Sequence, residues 1–106
     1  MKNCVTSIDL GSNSFRVLKI DCISKETISE FETTVGTADG LSKSGDISVE
    51  ALNRIITAIK KSIEVVNYNP HDAIAVTTQA LRVANNAPYI LQNIKENTGV
   101  SFSIID

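Results

Sequence analysis

The chain has 106 residues, of which 42% are hydrophobic and 21% are charged, which is typical of one globular domain rather than a disordered segment. The formal net charge is −2 and no cluster of lysines or arginines is present, so the composition gives no indication of binding to nucleic acid or to a membrane surface. No apolar run approaches the roughly 20 residues that cross a bilayer and no signal peptide precedes the first strand, so we expect a cytoplasmic protein without membrane or nucleic-acid partners.

The first part of the chain predicts three strands. Residues 3–10 and 14–23 are rich in Val, Ile, Leu and Phe and are separated by a turn at Gly11. Residues 28–36 are also rich in β-branched and aromatic residues, although their apolar positions fit one face of a helix as well. We predict a strand there, because a third antiparallel strand would shield the hairpin edge and no residue caps a helix. Residues 36–45 are predicted to be a loop.

The second part of the chain predicts alternating helices and strands. Residues 49–67 have the clearest helical pattern, with Ser48 as the N-cap, one continuous apolar stripe, and Asn69-Pro70 as the stop signal. The elements predicted after it are a buried strand at 73–77, a helical segment beginning at 78–82, a helix from Pro88 to Gly99 and a strand at 101–105.

The order βββαβαβ predicts an α/β fold with a mixed sheet. Three strands would form an antiparallel meander, and two right-handed crossovers would then add parallel strands. The chain ends at Asp106 directly after an apolar strand, whereas a domain more often ends in a helix or a polar tail. We therefore expect these residues to be part of a longer protein.

The two cysteines and the one histidine indicate no reactive centre. Cys4 and Cys22 lie near the open end of the predicted hairpin and have neither a disulfide-framework nor a metal-ligand spacing. We expect two buried, reduced thiols. His71 follows Pro70 in a loop and is expected to be a solvated surface residue.

The turn between the first two strands is the first candidate site. Asp9 ends the first strand, and the turn consists of Gly11, Ser12, Asn13 and Ser14. Such a turn can direct backbone N–H groups and hydroxyls towards phosphate oxygens. Asp9 would repel a bare phosphate, so it fits the site only through a divalent cation or a water. Arg16 lies on the same strand face as Ser14 if the side chains alternate, where its guanidinium could bind phosphate.

A tight hairpin with a solvated acid and a surface arginine explains the same residues equally well, because short Gly/Ser motifs are frequent. The second candidate site comprises residues 77–82, followed by Asn85 and Asn86. It lies where a parallel strand leads into a helix, the edge at which α/β sheets bind ligands. Arg82 could turn back towards that edge, although a helix cap with an exposed arginine is the simpler interpretation of this stretch alone.

Residues 8–16 (IDLGSNSFR), 38–41 (ADGL) and 78–82 (TQALR), with Asn85-Asn86, resemble the exopolyphosphatase and guanosine pentaphosphate phosphatase family. This family belongs to the actin, Hsp70 and sugar-kinase superfamily. The resemblance extends along the whole chain. Its Asp-x-Gly start is common to the superfamily, whereas the Ser-Asn-Ser continuation and the Thr-x-x-Leu-Arg block are much more specific.

The resemblance implies an α/β, ribonuclease H-like (actin-like ATPase) half-domain, with residues 1–106 as the N-terminal portion of the phosphatase. It implies Mg²⁺-dependent release of terminal phosphate from inorganic polyphosphate or guanosine pentaphosphate by water attack. Gly11 to Ser14 would be the first phosphate loop and Asp9 the partner of the cation or water. Arg16 and Arg82 would bind phosphate.

The resemblance also implies what these residues lack. A glutamate general base and a second, glycine-rich phosphate loop are expected beyond Asp106, so we expect no catalytic residue in this segment and no activity from it alone. A homodimer is one expectation for the full-length protein.

Two other functions fit the same sequence features. One is an actin-like ATPase or a sugar-kinase-type lobe, against which the block at residues 78–82 argues. The other is a non-catalytic binding module of the same fold, which a reading frame continuing past Asp106 would exclude. The sequence does not distinguish polyphosphate from guanosine pentaphosphate as substrate.

Overall fold

The structure is a computed structural model that describes residues 3–105. Asp106 therefore lies outside the described residues. The strands are β1 (Cys4–Leu10), β2 (Ser14–Asp21), β3 (Thr27–Thr34), β4 (Ile74–Thr77) and β5 (Phe102–Ile104). The helices are α1 (Leu41–Ser44), α2 (Val49–Val66), α3 (Gln79–Val83) and α4 (Ala87–Thr98), and a 3₁₀ turn covers Pro70–Asp72.

The five strands form one mixed sheet in the order β3-β2-β1-β4-β5. β1, β2 and β3 pair antiparallel, whereas β4 pairs parallel with β1 and with β5. The predicted meander and its two parallel additions are thereby confirmed. In the hairpin, Asp9 lies opposite Arg16 and Leu10 lies opposite Phe15.

The helices cover one face of the sheet. Along β1, Thr6, Ile8 and Leu10 are buried while the alternate residues Ser7 and Asp9 are exposed. α2 packs against β2, β3 and α4. The large side chains that are completely or almost completely buried between these elements include Ile8, Leu10, Phe15, Ile55, Ile59, Ile90 and Ile94. Removal of each from water is worth about 1.5–3 kcal/mol before the entropy cost of folding.

Helix α2 begins and ends at residues with identifiable capping geometry. The hydroxyl of Ser48 accepts a hydrogen bond from the Ala51 N–H at 3.0 Å, as the sequence predicted. The helix ends before Asn67, which has a left-handed φ of 62° and donates its N–H to the Ile63 carbonyl. Pro70 starts the 3₁₀ turn instead of ending the helix directly. No helix among residues 3–105 is long and apolar enough to span a membrane.

The predicted loop at 36–45 was partly wrong, because it contains the one-turn helix α1. Gly40 and Gly45 flank this helix, both with a φ of 78°, and the Gly45 N–H donates to the Leu41 carbonyl. A helix of four residues is too short to produce an apolar period in the sequence. The short helix nevertheless matters, since it connects the end of β3 to α2.

Both cysteines are free thiols, but the expectation that both are buried was wrong. Cys22 is exposed because it lies in the turn after β2, and Cys4 is half-buried at the start of β1. They are close in the hairpin, as predicted: Cys4 lies opposite Asp21, and the Cys22 N–H donates to the Asn3 carbonyl.

Tyr68, which follows the end of α2, belongs to the buried core. Its side chain is 7% exposed, and its hydroxyl lies 2.8 Å from Ser62 Oγ. Since Ser62 Oγ donates its own hydrogen to the Ile59 carbonyl, the phenol is the donor to Ser62. Burial raises the pKa of Tyr68.

We expect Tyr68→Phe to lower the free energy of unfolding by about 1 kcal/mol in urea denaturation at pH 7, because it removes one buried hydrogen bond. Because the pKa of Tyr68 is raised in the folded state, its stabilising effect is complete below the ordinary tyrosine pKa and is lost as the pH rises through the folded-state value. Tyr89→Phe is the control, because Tyr89 is 60% exposed. Equal effects of the two substitutions would contradict the assigned hydrogen bond.

Candidate phosphate site at the end of strand β1

The turn of residues 11–14 lies at the carboxyl end of β1, and its Gly11 N–H donates to the Ser14 carbonyl at 2.8 Å. Because β4 runs parallel to β1, it ends at the same edge of the sheet, and α3 begins directly after it. The buried hydroxyl of Thr77 donates to the Leu10 carbonyl at 2.7 Å, which joins these two strand ends. The two candidate regions of the sequence therefore share the edge at which such sheets place ligands.

A second segment, residues 35–39, packs behind this turn, and we call it the bracing segment. The N–H groups of Val35 and Gly36 both donate to the Asn13 carbonyl, at 2.8 and 3.0 Å. The Ala38 N–H donates to the Ser12 carbonyl at 2.9 Å. The carbonyls of Ser12 and Asn13 are therefore already hydrogen-bonded to the bracing segment.

The bond from Ala38 to the Ser12 carbonyl also determines where the N–H of Asn13 points. In a planar trans peptide, the carbonyl and the following N–H point in opposite directions, and the described residues contain no cis peptide. Because the Ser12 carbonyl faces the bracing segment, the Asn13 N–H faces away from it. Within residues 3–105, the N–H groups of Ser12 and Asn13 have no hydrogen-bond acceptor. Both donors are available to an anion.

Arg54 on α2 holds the bracing segment. Its Nε donates to the Val35 carbonyl at 2.6 Å and its Nη2 donates to the Gly36 carbonyl at 3.2 Å. The same Nη2 lies 3.1 Å from Asp39 Oδ2. The sequence pattern gave no reason to select Arg54, because it occupies an exposed position between the apolar residues of α2.

The sequence also gave no indication that Thr37, in the bracing segment, is buried. Its side chain is fully buried, and its hydroxyl is the buried side-chain polar atom that lacks a hydrogen-bond partner within the described part of the chain. An unsatisfied buried hydroxyl costs about 1–3 kcal/mol. A threonine among loop residues gives no sequence signal for such burial.

Asp9 and Arg16 lie side by side on the sheet face that the helices leave uncovered. The Asp9 carboxylate is exposed and makes no hydrogen bond or ion pair with any of residues 3–105. Arg16 forms a 3.7 Å ion pair with Glu30, but both side chains are more than half exposed, so this pair contributes little. The structure therefore brings Asp9, Arg16 and the turn together.

The described residues at this edge offer a divalent cation the carboxylate of Asp9. No group of three or more His, Cys, Asp or Glu side chains suited to a metal occurs among residues 3–105. A single carboxylate fits Mg²⁺, which commonly binds through one or two carboxylates together with substrate phosphates and waters. Asp9 is placed to supply that carboxylate.

Arg82 lies at the same edge but further along the sheet. Its Nη1 donates to the Ile105 carbonyl at 3.0 Å, and its Nη2 donates to the side chain of Gln79. These contacts hold the guanidinium at the end of β5, two strands from β1, which corresponds to about 10 Å across the sheet. Its role as a phosphate ligand stays a prediction.

The two asparagines of the second candidate region have a structural role. Asn86 forms two hydrogen bonds of 2.9 Å with the backbone of Ile47, one to its N–H and one to its carbonyl. The Asn85 N–H donates to the Gly45 carbonyl at 2.8 Å. Both residues therefore fasten the α3–α4 connection to the segment that precedes α2.

Comparison with known proteins gives a consistent picture. The model of the Ppx/GppA phosphatase family matches residues 16–106. The guanosine-5'-triphosphate,3'-diphosphate pyrophosphatase of Aliivibrio fischeri strain ES114 is 30% identical over 109 residues, which cover 100% of this chain and 22% of that protein. The chain thus spans about a fifth of this curated relative. Since the match covers the whole chain, it includes the turn of residues 11–14.

Solved structures agree with this assignment. An exopolyphosphatase from Cytophaga hutchinsonii is 26% identical with a TM-score of 0.85, covering 97% of this chain and 34% of that one. A Bacteroides thetaiotaomicron protein with an actin-like ATPase fold has a TM-score of 0.55 at 6% identity, covering 99% of this chain and 34% of that one, a likeness of fold alone. The predicted actin-like fold is confirmed, and the chain belongs to the Ppx/GppA phosphatase family.

Proposed function

We propose that the protein containing this segment releases terminal phosphate from inorganic polyphosphate or guanosine pentaphosphate, and that residues 11–14 form its first phosphate loop. One observation carries the assignment of the loop: the carbonyls of Ser12 and Asn13 are bound from behind, and the N–H groups of the same residues have no acceptor among residues 3–105. The names of the similar proteins support the substrate class.

The turn suits phosphate chemically. Backbone N–H groups in a turn bind anions without adding a flexible charged side chain, and Ser12 and Ser14 add two hydroxyl donors. Arg16, exposed beside the turn and only weakly paired with Glu30, can direct its guanidinium to phosphate oxygens. Arg82 is proposed as a further phosphate ligand because it belongs to the family motif and lies at the same sheet edge.

Asp9 is proposed to hold Mg²⁺ together with phosphate oxygens and waters. When bound, Mg²⁺ would neutralise negative charge on the phosphate oxygens, which is its usual contribution to phosphoryl transfer. The residues of this chain would bind and orient the phosphate chain. The general base and the second phosphate loop are proposed to lie beyond Asp106, so this segment alone should be inactive. The cytoplasmic location and the homodimer stay predictions.

We expect Asp9→Asn in the full-length protein to lower the rate of phosphate release from polyphosphate roughly ten- to a hundredfold, because it removes a charge-assisted interaction of about 1.5–3 kcal/mol. It should also raise the Mg²⁺ concentration that gives half-maximal rate. The rate is measured as released phosphate across a Mg²⁺ titration.

Asp72→Asn is the matched control, since Asp72 is exposed in the 3₁₀ turn at the opposite edge of the sheet. It should leave the rate and the Mg²⁺ dependence unchanged. Wild-type rates and Mg²⁺ dependence in Asp9→Asn would contradict the role of Asp9.

A further inference from the structure

We propose that Arg54 is a positioning residue for the phosphate loop: through the bracing segment it holds the turn of residues 11–14 in the conformation that presents its N–H groups to phosphate. This inference rests on the proposed function of the turn. The sequence motifs do not include Arg54.

One peptide group links Arg54 to the turn. The carbonyl of Val35 accepts from Arg54 Nε at 2.6 Å, and the N–H of the same peptide group, from Gly36, donates to the Asn13 carbonyl at 3.0 Å. Because the peptide is planar, the guanidinium on one side and the turn on the other fix its orientation together. A rotation of this peptide would break both bonds.

The remaining contacts of Arg54 restrain the rest of the bracing segment. Nη2 binds the Gly36 carbonyl and the Asp39 carboxylate, so one guanidinium holds three acceptors in residues 35–39. The planar fork of arginine suits this arrangement, whereas lysine offers only a compact charge. The bonds to the two carbonyls are partly buried, while the ion pair with Asp39 is exposed and contributes little by itself.

The base of this connection is packed into the core. Arg54 lies on α2 next to Ile55, which is completely buried in the core. Helix α2 packs on the sheet strands β2 and β3, which also position the turn and the start of the bracing segment. Contacts from the core through α2, Arg54 and the bracing segment therefore fix the position of the loop.

Gly36 leaves room for the contact between Arg54 and Asp39. Its φ of 62° favours glycine, and a Cβ there would lie 2.5 Å from Asp39 Oδ2 and 3.2 Å from Arg54 Nη2. Gly40 has a φ of 78°, but a Cβ there would meet no atom within 4 Å. Alanine at either position adds backbone strain, but only at position 36 would the added Cβ also displace the Asp39 carboxylate and press on Arg54 Nη2.

The test compares binding of inorganic tripolyphosphate by calorimetry, with Mg²⁺ present, in the full-length protein and its variants well below their unfolding temperatures. Arg54→Met keeps the apolar stem and removes the donors. We expect its dissociation constant for tripolyphosphate to rise about tenfold and the KM for polyphosphate to rise with it. Arg54→Lys should give an intermediate value, because it keeps the charge but not the fork.

Two controls separate positioning from general stability. Lys61→Met changes another exposed cation of α2, which pairs only weakly with Glu64 at 4.0 Å, and should leave tripolyphosphate affinity unchanged. Gly36→Ala should weaken affinity as Arg54→Met does, whereas Gly40→Ala should lower the unfolding temperature without weakening affinity. The Gly36/Gly40 pair also tests the inference if Arg54→Met does not fold.

The outcomes distinguish the two proposals. If the wild-type protein does not bind tripolyphosphate, the phosphate loop itself is wrong and Arg54 loses its role with it. If the wild type binds and both Arg54→Met and Gly36→Ala bind equally well, only the role of Arg54 is overturned. Loss of affinity in Arg54→Met and Gly36→Ala, with normal affinity in Lys61→Met and Gly40→Ala, supports the inference.

Discussion

The hydrogen bonds from residues 35–38 to the carbonyls of Ser12 and Asn13 determine which groups of the β1–β2 turn can meet a ligand. Each peptide group has its acceptor on one side and its donor on the other. Because the Ser12 carbonyl is bound from behind, the N–H of the same peptide group, that of Asn13, faces outward, and the N–H of Ser12 has no acceptor among residues 3–105. The pairing of β3 with β2 brings the bracing segment to this position, and Arg54 fastens it to α2. The donors at Ser12 and Asn13 thus come from the main chain.

The mixed sheet supplies the remaining charges at the same edge. The antiparallel register sets Asp9 directly opposite Arg16, so an acid and a base lie next to each other beside the turn. The parallel strands β4 and β5 end at this edge and bring Arg82 to it. Positive charge at Arg16 and an exposed carboxylate at Asp9 suit a phosphate chain that carries a divalent cation.

Local patterns in the sequence predicted the fold well. Helix α2 begins after Ser48 and helix α4 ends before Gly99, as those residues indicated, and side chains along β1 alternate between the core, as at Ile8, and the exposed face, as at Asp9. The site was predictable only where its residues are contiguous, as at Asp9 and the turn. Arg54 was not, since its carbonyl acceptors lie 18 and 19 residues away and any residue type can supply a carbonyl. The need for glycine at position 36 likewise gave no local signal, because the side chains that a Cβ there would meet, Asp39 and Arg54, come from later in the chain.

The most direct test of the phosphate loop is the amide chemical shift of Ser12 and Asn13 in the full-length protein as tripolyphosphate and Mg²⁺ are added. An N–H that gains a charged acceptor moves strongly downfield, so these two amides should show the largest shifts. The amides of Gly36 and Ala38 should move little, because they stay bonded to the turn. Tight binding of tripolyphosphate with unshifted Ser12 and Asn13 amides would contradict the proposed loop.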